Sequence, residues 1–135
     1  MKPTLSALFA LVVLAGFGAP AAAQDEEDGE RNMDAIHCVS IRGIDAIDIV
    51  DARNLVFRMR NGDVYRNRLP RQCPGLRRNG TLMYRSSVGQ LCSIDIITVL
   101  ENRSFGFFPG ASCGLGMFEP ITKDIADELL RSARD

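Results

Sequence analysis

The side chains able to do chemistry are few in this sequence. Histidine occurs once, at His37, directly before Cys38. A Cys–His nucleophile pair needs a free thiolate beside the imidazole, and neighbours on a strand point to opposite faces, so His37 reads as a strand-edge residue. Asp45, Asp48 and Asp51 recur every three residues, a spacing that would align them on a helix. Their β-branched neighbours Ile44, Ile47, Ile49 and Val50 favour strand and turn instead, and the alternate oxygens and sixth-position glycine of a calcium loop are missing. No G-x-S-x-G, P-loop or G-x-G-x-x-G occurs, so hydrolase-elbow and nucleotide-binding readings have nothing to rest on. The sequence predicts no cofactor and no catalytic residue.

Four cysteines, Cys38, Cys73, Cys92 and Cys113, are the next candidates. A zinc site would want a C-x2-C pair, and none is present. Two disulfides are the expectation. Spacing alone allows three connectivities. The expected one joins Cys38 to Cys113 and Cys73 to Cys92, because Cys38 and Cys113 each open an expected strand near one end of the domain.

The strongest positive signal is arginine. Residues 52–94 hold nine arginines against Asp63 alone, while residues 25–51 hold nine acids against two arginines. In "FRMRNGDVYR" and the residues after it, Arg58, Arg60, Arg66 and Arg68 fall at alternate positions. Guanidinium groups in a row suit bidentate pairing with phosphates or carboxylates, as on an acidic protein or an anionic envelope polymer. The competing reading is the solvated side of a half-buried sheet, where alternation requires polar residues. Nucleic acid is not expected, because no aromatics interleave with the arginines to stack on bases.

Which side those arginines occupy depends on the hairpin that carries them. A two-residue Asn61-Gly62 turn would mix polar and apolar residues on both faces. A three-residue loop, Arg60-Asn61-Gly62, with Gly62 left-handed in a G1 bulge, sets Phe57 opposite Tyr65. Leu55, Phe57, Met59, Tyr65 and Leu69 then share one face. The four arginines share the other with Val56 and Val64, and this cleaner sorting favours the bulged register.

The rest of the chain reads as short strands punctuated by turns. "CVSI" and "IDIV" are strand candidates broken by Arg42-Gly43, and "DARN" is a turn with Asp51 accepting from backbone N–H groups. Pro74-Gly75 suits a type II turn and "RRNG" a second turn. Residues 81–87 and 91–100 are expected to pair as a hairpin across Val88-Gly89-Gln90, with Cys92, Ile94 and Ile96 on one side. "SFGFFPGASCGLGMFEP" is read as a loop followed by a strand over residues 113–118, its glycines allowing close backbone approach or a bulge. Phe105, Phe107, Phe108 and Phe118 have the chemistry to cap a lipid-binding mouth, but in a chain without tryptophan they are read as the core's large side chains. Residues 122–135 form the one helix candidate, with Thr122 as N-cap and Ile125 and Leu129 a turn apart. The fold class expected is mainly β, a small antiparallel barrel or sandwich stapled by two disulfides, with a short C-terminal helix.

The first residues set the compartment. Lys2, an apolar run over residues 5–19 and Ala21-x-Ala23 have the order of a secretory signal peptide, and the run is too short to span a bilayer. Cleavage near Ala23 leaves 112 residues with 15 cations and 17 acids, net −2. Residues 24–34 are acidic and polar, expected to be disordered; residues 35–121 make the compact domain. The mature protein is expected to be periplasmic or secreted and not membrane-spanning. Sequence sets no oligomeric state.

The stretches "CVSIRGI", "LVFRMRNGDVYRNRLPRQCPGL", "LCSIDIITVL" and "CGLGMFEPI" resemble a family of small exported bacterial proteins known as a domain of unknown function. The shared features are a cysteine at the first strand, Tyr-x3-Leu-x3-Cys-Pro-Gly-Leu at residues 65–76, Leu91-Cys92 and Cys113 late in the chain. The resemblance implies export and a four-cysteine architecture; it carries no functional residue. The leading expectation is a non-catalytic envelope module binding an acidic or anionic partner through Arg58, Arg60, Arg66 and Arg68. The alternatives are a small envelope enzyme with a dispersed site and a stapled, inhibitor-like domain whose contacts lie in "SFGFFPGAS".

Overall fold

The computed structural model describes residues 34–86 and 88–135, together with Gly16 and Gly18, so the rest of the leader and all of the acidic segment but Asp34 lie outside the described residues. The central hairpin takes the bulged register. Strand β3 (Asn54–Met59) pairs antiparallel with β4 (Val64–Arg68), and Phe57 stands opposite Tyr65. The Met59 N–H donates to the Asp63 carbonyl at 2.8 Å, the Gly62 N–H donates to the Met59 carbonyl at 3.1 Å, and Gly62 has φ 95°. That conformation is open to glycine and costly for residues with a Cβ.

Around this hairpin the chain builds a four-stranded antiparallel sheet. Strand β2 (Ile44–Ile49) flanks β3 and β9 (Phe118–Ile121) flanks β4, giving the order β2-β3-β4-β9. The short β1 (Cys38–Ser40) leads into β2 through a 3-10 turn at Ile41–Gly43 and pairs with β6 (Gln90–Cys92). A third sheet joins β5 (Thr81–Tyr84), β7 (Ile96–Arg103) and β8 (Gly106–Gly114) in the order β5-β7-β8. The fold is mainly β with antiparallel sheets, as the turn spacing implies.

One core lies inside these sheets. Val39, Ile49, Leu55, Phe57, Leu69, Cys73, Leu91, Ile97, Val99, Leu115 and Phe118 pack together. The Phe57 and Phe118 rings meet edge to face at 5.1 Å, the arrangement favoured by the ring quadrupoles. Asn67 is the buried polar residue among the described residues, and both polar atoms of its amide are hydrogen-bonded. Its Nδ2 donates to the Gly116 carbonyl and its Oδ1 accepts from the Gly116 N–H, both at 2.8 Å. A Cβ at Gly116 would overlap the Arg68 carbonyl oxygen, so this close approach requires glycine.

The second face of the hairpin is not left to water. Helix α1 (Lys123–Ser132) begins at Thr122, whose hydroxyl accepts from the Ile125 N–H at 3.2 Å. It turns Ala126, Leu129, Leu130 and Ala133 onto Val50, Val56 and Val64. Val56 is therefore as buried as its neighbours Leu55 and Phe57. Ile125, one turn from Leu129 in the sequence, is half exposed, because the stripe that packs on the sheet runs through positions 126, 129, 130 and 133.

Three other sequence expectations are corrected. The disulfides join Cys38 to Cys92 and Cys73 to Cys113. Cys38 and Cys92 are directly opposed partners in β1 and β6, and Cys113 lies near the end of β8 rather than opening a strand. Residues 91–100 do not form one strand. Asp95 Oδ2 accepts from the Cys92 N–H at 2.7 Å, and the Asp95 N–H donates back to the Cys92 carbonyl at 2.9 Å. That turn ends β6, starts β7 and leaves Ile94 and Ile96 exposed. Finally, the expected phenylalanine loop is half of a hairpin, with β7 and β8 joined across Ser104-Phe105.

Candidate binding surface

The four arginines singled out by alternation have different surroundings. Arg58 is held on both sides: Nε donates to Asp48 Oδ2 at 2.8 Å and an Nη donates to Asp127 Oδ1 at 2.9 Å. These hydrogen bonds to Asp48 and Asp127 hold its pKa above the ordinary guanidinium value. Arg66 donates through Nε and an Nη to Asn54 Oδ1 at 3.1 and 3.0 Å. Burial lowers its pKa, and the Arg68 charge acts in the same direction. Arg60 and Arg68 are exposed at opposite ends of the hairpin arms. The row therefore contains one residue that ties sheet to helix, one bonded across the sheet, and two at the surface.

The acid and base candidates do not converge. Asp51 accepts from the Arg53 and Asn54 N–H groups at 2.7 and 2.8 Å, the turn role its position predicts. Asp48 belongs to Arg58, and Asp45 is exposed. His37 Nδ1 lies 3.3 Å from Ser93 Oγ in an exposed contact. Among the described residues no group of three or more His, Cys, Asp or Glu side chains is placed to hold a metal ion.

The surface that departs most from an ordinary globular exterior is the β7–β8 hairpin. Phe105 occupies its turn and is 96% exposed, with Phe107 at 57% and Phe108 at 41%. Phe107 stands opposite Asn102 and Phe108 opposite Glu101. Successive strand residues project to opposite faces, so the tip carries a ring at its apex and one on each side. Arg103 lies 5.5 Å over the Phe108 ring while donating to Glu101 at 2.7 Å. On the Phe107 side, a groove of about 730 Å³ is lined by Arg77, Thr81, Leu100, Asn102 and Arg103.

The core placement expected for Phe105, Phe107, Phe108 and Phe118 holds for Phe118 alone. A signal was present: "IITVLENR" and "GFFPGAS" are strand-capable runs on either side of Ser104-Phe105. Pro109 within the second run also fits an edge strand, and β8 is an edge strand of its sheet.

No family model matches the chain, and no curated protein and no solved structure is significantly similar to it. The two disulfides suit an oxidising, extracellular or periplasmic setting. Among the described residues no helix is long and apolar enough to cross a membrane.

Proposed function

We propose that this protein is an exported, non-catalytic binding module of the bacterial cell envelope, released by cleavage near Ala23, that makes its contact through the tip of the β7–β8 hairpin. The observation that carries this reading is Phe105, a large apolar ring almost wholly in water at the apex of the β7–β8 hairpin. Together with the exposed rings of Phe107 and Phe108 beside it, it makes a clustered apolar surface of the kind that marks an interaction site. Membership of the four-cysteine exported family belongs to the same proposal and rests on the Tyr65 to Leu76 pattern.

An acidic partner bound through the arginine surface is the second reading, and the exposure of Arg60 and Arg68 favours it. Co-sedimentation of the oxidised protein with a bacterial envelope fraction separates the two. The first reading expects loss of association in Phe105→Ser/Phe107→Ser and retention in Arg60→Gln/Arg68→Gln. The reverse pattern establishes the arginine surface; equal association of both variants with wild type rejects both surfaces.

A further inference from the structure

We infer that the occupant of the hairpin tip is an anionic lipid surface, into which Phe105 inserts while Arg103 and Arg77 remain at the level of the headgroup phosphates. This inference rests on the reading of the tip as the contact surface. A protein partner holds such a tip only through a cleft that closes on both of its sides. Here the rings of Phe105, Phe107 and Phe108 occupy the apex and both faces. A convex wedge with rings all round is complementary to a medium that closes around it, as the acyl boundary of a bilayer does.

The charges are placed to match. The Arg103 guanidinium sits 5.5 Å from the Phe108 ring centre, behind the apex. Arg77 lines the same groove as Phe107 and Arg103, and Glu101, the acid of that groove, is the ion-pair partner of Arg103. Arginine stems lie along apolar surface while their heads stay with phosphate and water, which sets the depth of insertion to the tip alone. The β7–β8 turn is not a spanning element. It is an interfacial anchor, and attachment through so few rings is reversible.

The test is flotation of the oxidised protein, exported and processed by a bacterial host, with two kinds of vesicle. One contains phosphatidylglycerol and phosphatidylethanolamine, the other phosphatidylcholine alone. Wild type is expected to float with the anionic vesicles and to be released by salt. Phe105→Ser/Phe107→Ser is expected to lower the partition at least about tenfold. Arg77→Gln/Arg103→Gln is expected to remove the preference for anionic over zwitterionic vesicles. Ile125→Ser, which removes an exposed apolar side chain of helix α1, should float as wild type does. Absence of wild-type flotation, or flotation unchanged in the phenylalanine variant, overturns the lipid assignment. If the same phenylalanine variant still fails to bind envelope fractions when wild type ignores vesicles, the tip remains the contact surface and its occupant is a protein. If the variant binds both as wild type does, the tip reading falls as well.

Discussion

The Arg58 guanidinium lies 2.9 Å from the Asp127 carboxylate, joining strand β3 to helix α1 across a face that alternation alone leaves facing water. Its Nε also reaches Asp48 on β2, so one side chain fastens two strands and the helix. Arg58→Gln should destabilise the protein by about 1–2 kcal/mol, since these are charge-assisted bonds in a partly exposed setting. Arg58→Lys should recover less than half, because one ammonium does not present two donors in a fixed fork. Urea denaturation of both variants, with Asp127→Asn completing a double-mutant cycle, measures this.

Asn67 should be among the least replaceable polar residues. Asn67→Ala strips partners from both the N–H and the carbonyl of Gly116, at a cost of about 2–4 kcal/mol. Asn67→Asp keeps an acceptor for the N–H but loses the donor, and should be comparably destabilised. Gly116→Ala should fail for a different reason, overlap with the Arg68 carbonyl. Thermal melts of the three variants should all fall well below that of Thr81→Ala, an exposed substitution on β5.

Each disulfide closes a long loop, with a sequence separation of 54 for Cys38 and Cys92 and of 40 for Cys73 and Cys113. In the chain-entropy account each contributes about 4 kcal/mol, and paired serine replacement of either should lower stability by that order. Peptide mapping without reduction should recover Cys38 linked to Cys92 and Cys73 linked to Cys113, and no other pairs.

Tyr65 should titrate above the ordinary phenol range. Burial raises its pKa most, and the Asp63 charge and hydrogen bond act in the same direction. A raised folded-state value means the native protein holds the proton more tightly than the unfolded chain. The stabilisation is complete below about pH 10, the unfolded phenol value, and is lost as pH rises through the folded value. Absorbance at the phenolate band, assigned with Tyr65→Phe, follows the titration. Asp63→Asn should lower the midpoint only in part, because burial remains.

Local chemistry was legible where the backbone itself demands a residue type. Asn61-Gly62 and the apolar alternation beside it specify the bulged turn and the Phe57–Tyr65 pairing. Asp51 and Pro74-Gly75 announce turns, with Gly75 at φ 79° and the Leu76 N–H donating to Cys73. Thr122 announces the helix start. What the chain does not display locally is which elements meet. Val56 and Val64 sat beside arginines on a face that looked solvated, and only helix α1, some sixty residues later, explains them.

The same limit governs the cysteines and the site. Cys92 finds Cys38 because Asp95 ends its strand and frees it to pair with β1. Ile94, Ile96 and Phe105 have the composition of core residues, and composition does not distinguish a ring that is buried from one that is displayed. Their exposure follows from two turns, at residues 93–95 and 104–105, whose positions decide which side chains leave the core.

The central claim is that the hairpin tip, rather than the arginine surface, meets the partner. The most direct measurement places a photo-crosslinking phenylalanine analogue at position 105 and, in a separate variant, at position 60. Each oxidised, processed protein is then irradiated with intact envelope fractions. Adducts at position 105 with none at position 60 are the predicted result; adducts at position 60 with none at position 105 would contradict the account.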